Sequence, residues 1–401
     1  MPFASPAPFR RELERLFPDR PFEIVFWDGS VVPATRAGGP RFLVRSPRAV
    51  AHLLRAPGQL GLGRAYVSGE LEVDDLDALI GVLNGWKPPT LSAWDRGRLI
   101  LATARANGVS LPPGVPVSEL RPQGALHSKA RDARAVRHHY DLSNEFFALF
   151  LDRSMTYSCA FFSRDDTSLE SAQEAKLDLT CRKLGLEKGQ RVLDIGCGWG
   201  SFAIHAAARY GTDVVGITLS EPQATLARAR ASEAGLADRV TIRVMDYRDL
   251  SGERFDALAS IGMVEHVGGN RIDLYAERLA SLVRPGGRLL NHGIARLFHS
   301  AHPPGPFSDR YVFPDGDTLH LSRVLHALER AGFVTEHIEG FGADYAETLR
   351  HWARRLDEHR ARALQLVGEE RLRVWRLYLR AARNSFESGL TSIYQVQSRL
   401  G

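Results

Sequence analysis

Five short apolar runs recur along the second half of the chain, each followed by a stretch of helical period. They are VLDIG (192–196), DVVGITL (213–219), VTIRVMD (240–246), FDALASIG (255–262) and GGRLLNHGIA (286–295). The runs are continuous rather than alternating, so both faces of each strand expect to be buried. Strands buried on both faces and separated by helices such as PQATLARARASEAGL define an α/β fold, a mostly parallel sheet with helices on both faces. In such sheets ligands bind beyond the carboxyl ends of the strands, so the chemistry is sought just after each run.

After the first run comes Asp194-Ile195-Gly196-Cys197-Gly198-Trp199-Gly200. Three glycines at spacing two let a backbone turn closely past a ligand. A dinucleotide fingerprint needs G-x-G-x-x-G, and its third glycine position is here Ser201. An acid just before G-x-G-x-G is instead the pattern of S-adenosylmethionine (SAM) methyltransferases, whose zwitterionic ligand carries no pyrophosphate and tolerates a nearby carboxylate. The expected fold is thus a class I SAM-methyltransferase, Rossmann-like, plus a small N-terminal α+β domain. Many such enzymes hold the ribose with an acid ending the second strand; here Thr218, Ser220 and Gln223 stand there as neutral hydrogen-bonding groups. After the third strand, Asp246 and Tyr247 offer an acid and an aromatic for adenine.

The chain has 401 residues, enough for two domains of unequal size. Residues 22–85 mix β-type runs with helix-like pieces, and Ser46-Pro47 reads as N-cap and first residue of a helix. NGVSLPPGVPVSELRPQ (107–123) is dense in Pro and Gly and reads as a linker. The expected division is an N-terminal domain over 1–106, a linker over 107–130 and a methyltransferase domain over 131–401. The longest stretch free of Asp, Glu, Lys and Arg, Ile195–Ala208, is fourteen residues, too short to span a bilayer. MPFASPAPFRRELERLF carries no secretory signal, and three cysteines make no disulfide framework, so a reducing cytoplasm is expected. No His, Cys, Asp and Glu set has metal-ligand spacing.

The net charge of +5 is uneven: +4 over residues 1–130, −5 over 131–349 and +6 over 350–383. Basic ends of this kind suit nucleic acid, anionic lipid or an acidic partner surface.

Several motifs together carry a family resemblance. HHYDLSNEFFALFLDRSMTYSCAFF (138–162), LDIGCGWG, GITLSEPQ, SIGMVEHVG (260–268), LLNHGIA (289–295), DRYVFPDG (309–316) and GADYAETLRHW (342–352) resemble cyclopropane-fatty-acyl-phospholipid synthases and the mycolic acid cyclopropane synthases. The likeness covers about residues 130–401, and GLGRAYVSGELEV (61–73) resembles the extra N-terminal domain of the phospholipid-acting branch. The resemblance implies transfer of the SAM methyl group to the double bond of an unsaturated phospholipid acyl chain. The carbocation then loses a proton to bound bicarbonate and closes to a cyclopropane. A related lipid methyltransferase would make a methylene- or methyl-branched chain from the same carbocation.

By motif, the resemblance implies a bicarbonate-holding cluster of Cys159, Glu265, His292, Ile294 (through its backbone) and Tyr345. It implies SAM contacts from Tyr157 and Ser158 near the carboxylate, and from Gly196 and Gly198 beneath the methionine, beside Asp194 and Gly200. Thr218, Leu219, Ser220 and Gln223 would lie along the ribose, with Asp246 and Tyr247 by adenine. Tyr140, Phe146, Phe147, Tyr157, Phe161, Phe162 and Tyr311 are candidate rings for a dry site that tolerates positive charge, and His138, His139 and Asp141 for a loop over the cofactor. The expected setting is the inner face of the cell membrane, reached peripherally by a homodimer. Ten arginines between Arg350 and Arg383 would face lipid, and the irregular 297–316 segment would cover the acyl chain. A nucleic-acid methyltransferase is disfavoured, because MVEHVG stands where N/D-P-P-Y/F or Pro-Cys would follow the fourth strand. A silent lipid-binding scaffold is disfavoured by the intact glycine loop.

Overall fold

The computed structural model describes residues 5–107, 113–120, 124–125, 128–132, 134, 143–162, 168–296, 298 and 306–401. The chain divides into two compact units. The first holds residues 1–120, 305–311 and 368–381; the second holds 121–304, 312–367 and 382–401.

The first unit carries a four-stranded sheet in the order β2-β1-β3-β4, from Glu23–Val25 (β1), Val31–Val32 (β2), Arg41–Val44 (β3) and Leu71–Val73 (β4). Ser46 caps the helix Pro47–Arg55, its Oγ accepting the Arg48 N–H at 3.1 Å, as the Ser-Pro pair predicts. Phe9, Phe22, Phe26, Phe42 and Tyr66 build its core. GLGRAYVSGELEV forms the end of the helix Gln59–Val67 and β4. Arg64 from that helix makes two 2.7 Å hydrogen bonds to the buried Glu119, which also accepts from the Tyr311 hydroxyl at 3.0 Å.

The second unit is built on a seven-stranded sheet in the order β10-β11-β9-β8-β5-β6-β7. The five runs named above are Arg191–Ile195 (β5), Asp213–Thr218 (β6), Val240–Val244 (β7), Phe255–Ile261 (β8) and Val283–Arg296 (β9), all mutually parallel where they pair. Two helix-flanked cores pack against the sheet, one around Leu258, Tyr275 and Leu289, the other around Val192, Ala203 and Ala257. The strand order reverses between β5 and β8, which opens a crevice at their carboxyl ends. Two strands escape a reading by apolar runs. Phe333–Gly340 (β10) and Thr391–Leu400 (β11) add to the edge in antiparallel fashion, β11 pairing with β9. Both mix polar and apolar residues, and β10 is largely exposed, so neither gives a continuous apolar signal.

Two expectations are corrected. Within 297–316, Pro306–Tyr311 is helical, while residues 297 and 299–305 lie outside the described residues. The arginines between 350 and 383 do not form a bare cationic face. Arg350, Arg354, Arg355, Arg362, Arg373, Arg380 and Arg383 each pair with a carboxylate of their own unit. Among the described residues no helix is long and apolar enough to cross a membrane.

Candidate active site

The glycine loop turns as its sequence requires. Gly196, Gly198 and Gly200 have φ of +77°, +53° and +80°, a region that side chains avoid, and a Cβ on Gly196 would lie 2.7 Å from Met263 Sδ. The loop leads into the helix Ser201–Tyr210 and borders a cavity with about 1240 Å³ of empty space, part of it open to solvent. Tyr157, Ser158, Asp194, Gly196, Gly198, Thr218, Leu219, Gln223, Asp246 and Tyr247 all line this cavity. Gly200 and Ser220 do not; they cap the helices Ser201–Tyr210 and Glu221–Glu233. Thr218 and Gln223 are joined, the hydroxyl donating to Gln223 Oε1 at 2.8 Å. Asp246 is held by Arg248, whose Nε and second terminal nitrogen reach its two oxygens at 2.8 and 2.6 Å. Burial raises the Asp246 carboxyl, but these bonds outweigh it and keep the group below its ordinary range. Tyr247, the aromatic member of the pair expected at adenine, has the Arg248 guanidinium 5.6 Å from its ring centroid and Tyr275 edge-on at 5.7 Å.

Of the ring candidates, Tyr157 lines the cavity, whereas Tyr311 is bound to Glu119 in the first unit. Tyr140, His138, His139 and Asp141 lie outside the described residues. Tyr157 begins a chain of rings: it stacks on Trp352 at 5.1 Å, and Trp352 meets Tyr345 edge-on at 6.1 Å. On its other side Tyr157 meets the fully buried Phe147 at 5.6 Å, and Phe147 meets Trp199 of the glycine loop at 5.0 Å. Trp352, at the end of GADYAETLRHW, is thus a site residue that motif reading passed over.

The five residues expected at bicarbonate do not line that cavity; Cys159, His292 and Tyr345 meet Phe341, and Glu265 meets Ile294 on β9. Cys159 Sγ lies 3.6 Å from the Phe341 carbonyl, which also accepts the Tyr345 N–H at 3.0 Å. The His292 ring is 6.0 Å from the Phe341 ring. Glu265 sits in the short helix Val264–Val267, where its Oε1 accepts the Ile294 N–H at 2.6 Å and its carbonyl accepts the Asp317 N–H at 2.9 Å. The Ile294 N–H, expected to face an anion, is therefore engaged by Glu265. Two polar atoms of the cluster, Glu265 Oε2 and His292 Nε2, are shielded from solvent and have no hydrogen-bond partner.

Burial sets the protonation states. It pushes the Glu265 carboxyl up to about 7, against the Ile294 N–H, and the Asp194 carboxyl up to about 7, against the Lys176 charge. It holds His292 well below the usual imidazole range, hence neutral, and the Cys159 thiol well above its own, hence protonated. Cys159 is accordingly no nucleophile. Both carboxyls bind a proton more tightly folded than unfolded. The stability they contribute is complete below about pH 4 and is lost as the pH rises to about 7. Burial lowers His266 to about 4, which acts in the opposite sense over pH 4 to 6.5. Replacing Glu265 by Gln removes one carboxyl share, on the order of 2 kcal/mol. The melting temperature of Glu265→Gln relative to the ligand-free parent should therefore be higher at pH 8 than at pH 4. An equal offset at both pH values in differential scanning fluorimetry would refute this.

Comparison with known proteins gives the family and the fold. Residues 127–396 match the family model described as mycolic acid cyclopropane synthetase. The chain belongs to that family. Its members' shared chemistry makes this protein a SAM-dependent methyltransferase acting on lipid. A relative termed a probable fatty acid methyltransferase, from Mycobacterium tuberculosis, is 42% identical over 88% of this chain and 85% of its own. The cyclopropane-fatty-acyl-phospholipid synthase of Escherichia coli is 36% identical over 84% of this chain and 82% of its own. Among solved structures, the mycolic acid cyclopropane synthase CmaA1 complexed with SAH and CTAB superposes with a TM-score of 0.64 at 32% identity, covering 67% of this chain and 98% of that one.

Proposed function

We propose that this enzyme transfers the SAM methyl group to the double bond of an unsaturated phospholipid acyl chain and closes the carbocation to a cyclopropane. The observation that carries the reading is the pair of shielded, unpartnered atoms, Glu265 Oε2 and His292 Nε2, on a carboxyl raised to about 7 and an imidazole held neutral. A cluster of this kind offers hydrogen bonds without a fixed charge, which suits a small anion in a dry site. Bicarbonate fits the set: the Glu265 carboxyl, a neutral His292 and the Tyr345 hydroxyl would hold it, with Cys159, whose thiol already donates to backbone carbonyls, packed beside them. When bound, SAM supplies an electrophilic methyl group and bicarbonate a base. The chain's own part is to orient and to keep dry. Ile294 fixes Glu265 through its N–H, and the rings of Tyr157, Trp352 and Tyr345 present faces that tolerate positive charge while excluding water.

The same reading assigns residues 1–106 to lipid or dimer contact, 107–130 to a linker and 131–401 to methyl transfer. Trp94 at 74%, Ile100 at 54% and Leu101 at 51% exposure support an apolar contact surface on the first unit. The enzyme would work as a homodimer resting on the inner face of the cell membrane. A second product, a methyl- or methylene-branched chain, is favoured by the relative named for fatty acid methylation. Labelled SAM incubated with vesicles of unsaturated phospholipid tests both. Gas chromatography or NMR of the released acyl chains should show a ring; a branched chain selects the second product. Label absent from lipid, or found in added RNA or DNA, overturns the proposal.

A further inference from the structure

The cavity beside the glycine loop contains two buried groups of opposite charge that are not satisfied by the protein. Lys176 lies on the inward stripe of the helix Leu169–Leu184, with Ala172, Gln173, Leu177 and Thr180. It is 1% exposed, and its Nζ donates to Ser158 Oγ at 2.9 Å. An ammonium has three N–H bonds to place, and a single neutral hydroxyl is a poor match for a buried cation. Asp152, a carboxylate near enough to act on Lys176, already accepts from the backbone of Ser154 and Thr156 at 2.8 and 2.9 Å. Asp194 is 2% exposed and its Oδ2 has no partner. Both Lys176 and Asp194 line the same cavity.

A cation and a carboxyl raised to about 7, each desolvated and each short of hydrogen bonds, are complementary to a zwitterion, whose ammonium favours the ionised carboxylate. The amino-acid end of SAM is one. We propose that Lys176 is a cofactor-binding residue, its ammonium and the adjoining Ser158 hydroxyl taking the SAM carboxylate while Asp194 takes the SAM ammonium. Burial lowers the Lys176 ammonium to about 8, so at neutral pH it remains charged but weakly so, and an incoming carboxylate stabilises it. The arrangement makes the cavity selective for ligands that keep the amino acid over those reduced to the nucleoside.

This rests on the reading of the cavity as the SAM site, and titration calorimetry on the full chain separates the two. S-adenosylhomocysteine carries the amino-acid end; 5′-methylthioadenosine keeps the sulfur and adenosine but lacks it. Lys176→Met should weaken S-adenosylhomocysteine by about 10- to 100-fold and leave 5′-methylthioadenosine within about twofold. Ser158→Ala, a smaller change that spares the fold, should lower only the first affinity and by less. Equal losses for both ligands, or none for S-adenosylhomocysteine, overturn the role of Lys176. Gly196→Val should abolish binding of both ligands. If both survive it, the cavity is not the SAM site and the proposal falls with that reading.

Discussion

Glu265→Gln should lose product formation by about a thousandfold while S-adenosylhomocysteine binds as in the parent enzyme. Glutamine is nearly isosteric, and its side-chain oxygen can still accept the Ile294 N–H that Glu265 Oε1 accepts at 2.6 Å. The short helix Val264–Val267 therefore keeps its place, and what disappears is a carboxyl poised near pH 7. Because Glu265 does not border the cavity beside the glycine loop, cofactor affinity has no reason to fall. Calorimetry and a product assay on one preparation give both numbers. Full activity would remove Glu265 from the chemistry, and a parallel loss of cofactor binding would mean that the substitution disturbs the fold.

Gly293→Ala should be nearly as damaging, for a mechanical reason. Gly293 lies on β9 between His292 and Ile294, and an added Cβ would come within 2.2 Å of Val264 Cγ1. Its φ is not positive, so the backbone accepts alanine; the conflict is with the neighbour alone. Val264 is 3% exposed and β-branched, with little freedom to rotate away. The strain, about 1–3 kcal/mol, is relieved by pushing the helix Val264–Val267 off the strand, which pulls Glu265 from Ile294. Displacements of this size cost about 100-fold in rate. Adding Val264→Ala to Gly293→Ala should restore most of the activity by making room for the methyl group. No rescue would show that Gly293 matters for another reason.

The parallel half of the fold and its glycine loop were legible because both rest on local rules. A strand buried on two faces must be apolar throughout, and three left-handed turns in five residues require glycine. Ten of the twelve residues expected at SAM line one cavity. Gly200 and Ser220 instead cap helices, and a capping residue and a lining residue look alike in a motif. Lys176 escaped for a different reason. Within QEAKLDLTCRKL a lysine reads as solvated, and only the stripe of Leu169, Ala172, Gln173, Lys176, Leu177 and Thr180 betrays that it faces inward. β10 and β11 were invisible because neither is a continuous apolar run, and the inner partner of β11 is β9, far away in sequence.

That distance has a consequence for how the molecule comes together. His292 and Gln395 face each other across β9 and β11 although 103 residues separate them, and Ile294 faces Ile393 in the same register. The glycine loop, by contrast, meets partners nearer in sequence, Ile217 through its backbone and Phe147 and Met263 through their side chains. Contacts that span long loops form late, because the entropy of closing the loop precedes any reward. The cavity beside the glycine loop should therefore mature first and the corner around Glu265 and His292 last. Along the folding route there is then a stage at which the molecule can hold its reagent but not yet spend it.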